Sequence, residues 1–101
     1  MEIVKTRVWV HKEEVIDAVE IKEKGKIKFY SYTYKIMNKK GEWKPAIRWD
    51  NFEQEPHVDR YDATTAALIE QRECREKDLK DVVRLVTAFR RNLLAMDVSE
   101  L

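Results

Sequence analysis

The sequence is poor in the residues that small proteins use as staples and hinges. Its single cysteine, Cys74, excludes a disulfide framework within one chain and a cysteine-rich zinc site. One thiol and no pairing partner point to a reducing, cytoplasmic setting. Only two glycines and two prolines occur in 101 residues, and no Gly-rich phosphate loop, dinucleotide fingerprint or Gly-x-Ser-x-Gly elbow is present. No apolar run approaches the ~20 residues needed to span a membrane. Met1 to Val10 is interrupted by Glu2, Lys5 and Arg7 and does not read as a signal peptide. A charge excess of either sign is also missing: 20 Lys and Arg stand against 19 Asp and Glu, for a net charge of +1. That balance excludes a protein that coats nucleic acid by charge alone. Asn and Gln are scarce beside abundant Lys and Glu, a mix common in proteins of heat-loving organisms.

What is present describes one folded domain over residues 1–101. Hydrophobic residues make up 44% and aromatics 10%, ordinary values for a globular chain, although a chain this short hides only about two thirds of its unfolded surface. Charge is uneven. Residues 22–44 hold eight Lys against Glu23 and Glu42, and residues 45–81 hold ten acids against six bases. Lysines at hairpin tips and sheet edges explain the first run without a nucleic-acid partner.

Alternation predicts strands. Val4, Thr6, Val8 and Val10 point one way, and Ile3, Lys5, Arg7 and Trp9 the other. His11-Lys12-Glu13-Glu14 reads as a polar turn, and Val15, Val19 and Ile21 share a face of the next strand. After a turn at Gly25, Ile27 to Met37 is rich in aromatic and β-branched residues and is the strongest strand. Asn38-Lys39-Lys40-Gly41 is a hairpin turn. Trp43 to Asp50 returns, with Trp43, Ile47 and Trp49 on one face and a bulge or edge expected at Pro45, which cannot donate to a ladder. Residues 63–76 are ambiguous: Ala63 to Leu68 favours helix by propensity, Leu68 to Cys74 suits a short edge strand, and a strand or irregular lead-in is the favoured reading. Leu79, Val82, Val83, Val86, Phe89 and Leu93 then fall on one helical stripe, with Asp78 as N-cap, Asp81 at N3 and Arg90 and Arg91 in the later turns. The fold class is therefore α+β: an antiparallel β-meander of four to five strands packed on one C-terminal α-helix.

One helix covers one sheet face. Tyr30, Tyr32, Tyr34 and Ile36 line one face of the central strand, and Ile27, Phe29 and Met37 the other. A bare second face exposes a large apolar patch, so a homodimer is expected, with Tyr30, Tyr32, Tyr34 and Trp49 as interface residues. A tyrosine platform stacking on single-stranded bases is the less favoured use of the row.

One constellation carries chemistry. Arg48-Trp49-Asp50-Asn51 is followed six residues later by His57-Val58-Asp59-Arg60-Tyr61-Asp62. In extended chain Arg48 and Asp50 share a face, as do His57, Asp59 and Tyr61. A carboxylate beside His57 fixes its tautomer and raises its basicity. Arg48 and Arg60 can grip phosphate, and Tyr61 can donate a proton or stack on a base. The expected roles are His57, Asp59 and Asp50 as the catalytic group and Arg48, Arg60 and Tyr61 as substrate binders. The competing structural use is a loop closed by Asp and Asn turn bonds and Arg–Asp pairs. With two histidines in the chain, and two arginines beside the acids, neither a metal nor any other cofactor is expected. Cys74 has no neighbouring His and reads as inert.

The run Tyr30-Ser31-Tyr32-Thr33-Tyr34, the Gly41 hairpin, Ile47-Arg48-Trp49-Asp50-Asn51 and the downstream Pro56-His57 resemble the TumE-type toxin family of small prokaryotic toxin–antitoxin systems. The similarity spans Ile27 to Val86, including an acidic helix lead-in at Glu73 to Val83. Related archaeal families share the Arg-x-Asp-Asn and Pro-His pieces. The family's His-rich tract is reduced here to His57 alone, followed by Asp59, Arg60 and Tyr61. The resemblance implies a toxin neutralised by a cognate antitoxin, with RNA or a nucleotide as target. The rival expectation is a non-catalytic homodimeric interaction module. No membrane association is expected.

Overall fold

The computed structural model describes residues 1–52 and 54–101. The elements in chain order are β1 (Glu2–His11), β2 (Glu14–Glu23), β3 (Lys26–Met37), β4 (Trp43–Asp50), β5 (His57–Tyr61), β6 (Leu68–Glu73) and α1 (Leu79–Phe89), followed by 3₁₀ turns at Arg90–Ala95 and Val98–Glu100. The α+β class is as expected. The strand number is not: among the described residues the sheet has six strands, antiparallel throughout, in the order β1-β2-β3-β4-β5-β6. The last two strands are short and polar, and pairing of β5 with β4 and of β6 with β5, rather than local propensity, makes them strands. No helix among the described residues is long and apolar enough to cross a membrane.

The turns follow backbone chemistry. Lys24 and Gly25 both take positive φ, 55° and 78°, the combination a two-residue hairpin needs to match strand twist. In the next hairpin Asn38 Oδ1 accepts from the backbone N–H groups of Lys40 and Glu42, an Asn side chain standing in for a backbone turn. The expected irregularity at Pro45 is real. Register slips between Tyr34↔Ile47 and Lys35↔Pro45, leaving Ala46 as the extra residue. This bulge corrects one sequence expectation. It flips the side-chain phase, so Trp43 lies on the opposite face from Ile47 and Trp49, where it meets Trp9 edge-on at 5.7 Å with the Arg7 guanidinium over its ring.

The tyrosine row has a different role from the one expected. Tyr30, Tyr32, Tyr34 and Trp49 are fully enclosed by the chain itself and are not free to form an interface. They build the core with Ile16, Ala18, Ile47 and Val58, beneath Val82 and Val86 of α1 and Leu93, Val98 and Leu101 of the C-terminal turns. The cover is wider than one helix: the chain after α1 continues across β5 and β6, and Trp49 Nε1 donates to the Leu101 carbonyl. Tyrosine suits this core because each hydroxyl finds a partner. Tyr32 donates to Glu20, Tyr34 to Glu14, and Tyr30 accepts from the Lys77 N–H.

Helix α1 starts where expected. Asp78 and Asp81 form a reciprocal capping box. The helix stops at Phe89, because Arg90 turns into the positive-φ region at 45°. Arg90 and Arg91 therefore lie beyond the last helical turn, not within it, and both reach Glu14. Glu14 is likewise no turn residue. It opens β2, is completely buried, and accepts from Tyr34, Arg90 and Arg91. Burial pushes its carboxyl up, but these three donors together outweigh that and hold it at about 2.

Candidate functional site

The site lies on the helix-free face of the sheet. Pairing places Ser31, Asp50, His57 and Glu73 in one row across β3–β6, and Thr33, Arg48, Asp59 and Gln71 in the next. Strand alternation sends Asp50, His57, Asp59 and Arg48 to this face while Trp49 and Val58 point into the core. Described residues next to the row pack against it: Gln54 and Glu55 reach His57. His57 Nδ1 lies 3.0 Å from the Glu55 carbonyl, and Phe52 stacks on Phe29 with ring centroids 5.6 Å apart. Asp50, His57 and Asp59 are consequently only 6%, 4% and 4% exposed.

The hydrogen bonds orient the trio. The Glu55 carbonyl only accepts, so Nδ1 of His57 carries a hydrogen. Nε2 then faces Asp50 Oδ1 at 2.9 Å and Asp59 Oδ2 at 3.7 Å, with the Gln54 side-chain amide 3.2 Å from the same nitrogen. A lone pair at Nε2 facing two carboxylate oxygens is a place where a proton or another cation can sit. Burial raises the Asp50 carboxyl, opposed by His57 and by the Phe52 N–H that Asp50 accepts. Asp59 accepts from Gln71 Nε2 at 2.9 Å and from the Tyr61 hydroxyl at 3.4 Å. The Arg48 guanidinium lies over the Tyr61 ring, 5.3 Å from its centroid. Its Nε is buried with no hydrogen-bond partner among the described residues. Burial raises the Tyr61 hydroxyl, so it stays a donor at neutral pH.

Five of the six residues singled out from sequence thus meet: His57, Asp59, Asp50, Arg48 and Tyr61. Arg60 does not join them. It projects through the opposite face, as alternation requires, and its guanidinium donates to the carbonyls of Leu93, Leu94 and Met96. It is a clamp on the C-terminal turns, not a substrate binder. Asn51 and Asp62 are structural as well. Asn51 accepts from the Tyr30 N–H and donates to the Lys28 carbonyl, extending the β3 ladder, and Asp62 caps the N–H groups of Thr64 and Thr65. Cys74 is half-buried and its thiol is pushed up by burial, in keeping with an inert residue.

Sequence reading missed Gln71 and Gln54. Gln71 becomes visible only once residues 68–73 are paired with β5, which puts it opposite Asp59. Gln54 reaches His57 through the loop path alone and left no periodic signal. The arrangement can exchange a proton at His57, hold it with two carboxylates, and present a cation at the rim. No protein-family model, curated protein or solved structure matches the chain.

Proposed function

We propose that this chain is a toxin-like protein acting on RNA or a nucleotide, with His57 as acid or base, Asp50 and Asp59 holding its proton, and Arg48 meeting phosphate. The observation that carries the reading is the buried His57 between two carboxylates. Burying three titratable groups together works against folding unless they are mutually paired, and here His57 faces both carboxylates across β4 and β5. Arg48 supplies the donor fork that phosphate chemistry uses, beside the donor hydroxyl of Tyr61. The resemblance to TumE-type toxins points the same way and adds an antitoxin as the natural partner. The reduction of the His-rich tract to one residue makes His57 the whole of the acid–base function.

The test is expression of the full chain in bacteria beside His57→Gln and His57→Ala, with growth and total RNA followed and folding of both variants checked by circular dichroism. Growth arrest by the wild type and RNA fragmentation, both lost in a folded His57 variant, are the expected results. Arrest and RNA cleavage undiminished in that variant overturn the assignment.

A second reading has its own observation. Trp9 and Ile3 on the helix-free face of β1 are each 61% exposed, although both are large and apolar. They fit a non-catalytic module in which a second copy covers this face, in place of the tyrosine face. Normal growth with intact RNA, together with a solution mass of two chains that falls to one in Trp9→Glu, favours it.

A further inference from the structure

We propose that Asp50, His57 and Asp59 form a binding site for one divalent transition-metal ion of the Zn²⁺ or Mn²⁺ type. The inference uses the same trio as the acid–base reading, but its test is independent of RNA or growth. Three donor atoms, one from each residue, lie within 4.8 Å of one another and all three residues are buried. Zn²⁺ ligands at bonds of ~2.1 Å in a tetrahedron stand about 3.4 Å apart. The contacts at Nε2, 2.9 Å to Asp50 and 3.7 Å to Asp59, straddle that spacing, so small rotations of two carboxylates suffice.

The orientation of the ring is the stronger argument. His57 is nine-tenths buried, its Nδ1–H is committed to the Glu55 carbonyl, and its Nε2 lone pair is aimed between two carboxylates. This is how metal-ligating histidines are held: the distal N–H on a carbonyl, the proximal nitrogen free for the ion. Asp59 has the matching support, since its other oxygen, Oδ1, accepts from Gln71. The Gln54 side-chain amide nitrogen lies 3.2 Å from Nε2, so an ion there requires this amide to turn, bringing its oxygen in as a fourth donor. One imidazole with two carboxylates suits Zn²⁺ or Mn²⁺. Ca²⁺ wants six or more oxygens, and Mg²⁺ avoids imidazole. Two arginines stand beside the acids in the sequence and weigh against a metal there. The structure removes Arg60 to the opposite face and leaves Arg48 stacked on Tyr61, outside the trio. Two carboxylates and one divalent ion then balance.

The full chain, stripped with a chelator, is titrated with Zn²⁺, Mn²⁺ and Mg²⁺ by calorimetry, alongside Asp59→Asn and Gln71→Ala. Each variant is first checked for native circular dichroism. The expected wild-type result is one Zn²⁺ or Mn²⁺ per chain at micromolar or tighter affinity, with Mg²⁺ far weaker. Asp59→Asn loses this binding, and Gln71→Ala weakens it by roughly 10–100-fold while leaving all ligands in place. If Asp59→Asn does not fold, Gln71→Ala decides. No binding to the folded wild type overturns the proposal. So does Zn²⁺ binding that neither folded variant weakens, which locates the ion elsewhere, or Mg²⁺ binding as tight as Zn²⁺. Metal binding without a growth phenotype upholds this site and counts against the toxin reading; arrest without metal binding does the reverse.

Discussion

Glu14→Gln tests how the two layers of the domain are joined. Glu14 sits at the first position of β2 with no exposure, and Arg90, which ends α1, reaches it from across the interface, as do Arg91 and the Tyr34 hydroxyl. Gln keeps the shape and removes the charge. A carboxyl held at about 2 in the folded chain against an ordinary 4.5 corresponds to a ceiling of about 3 kcal/mol at neutral pH. The Arg90 and Arg91 side chains are 40% and 54% exposed, so solvent screens part of this, and a loss of about 2 kcal/mol is the working figure. The sign follows from the lowered carboxyl. The stabilisation is complete above pH 4.5 and disappears as pH falls towards 2, where the wild-type side chain also becomes neutral. Urea unfolding of both proteins at pH 7 and pH 2 is the assay. The gap should be about 2 kcal/mol at pH 7 and under about 0.5 kcal/mol at pH 2. A gap that is the same at both pH values, or absent at pH 7, refutes the claim that charge at Glu14 holds the helix end to the sheet.

Two further substitutions probe the cover of the sheet. Arg60→Ala removes the donors to the Leu93, Leu94 and Met96 carbonyls; a stability loss of about 2 kcal/mol is expected, with faster hydrogen exchange in the last ten residues and growth arrest intact, whereas loss of arrest in a folded Arg60→Ala chain returns Arg60 to the site. Asp78→Ala deletes half of the capping box, and thermal melts should show a loss of about 1 kcal/mol, with an unchanged midpoint contradicting the cap's contribution.

Much of this protein was legible before any coordinates. Period-two alternation marked β1 to β4, because a strand with one buried face must alternate, and Pro45 marked the bulge because it has no N–H to give the ladder. The stripe from Leu79 and the pair Asp78 and Asp81 located the helix and its cap, both being local features of a few residues. The gathering of His57, Asp59, Asp50, Arg48 and Tyr61 was also readable, since residues two apart in a strand share a face. What the tertiary structure decided is every question of which face meets what. The phase flip at Ala46 separated Trp43 from Trp49, and α1 together with the chain beyond Phe89 packed over the sheet to bury the tyrosines and Trp49 that looked like an interface. Glu14 and Arg90 lie 76 residues apart, and no local pattern announces such a pair. Arg60 shows the limit most plainly. Alternation alone put it opposite His57, Asp59 and Tyr61, but only the position of the C-terminal turns determined that its guanidinium would be used up on carbonyls. Whether a face is core, surface or site depends on what packs over it, and that is set by contacts between elements distant in the chain, not by the elements themselves.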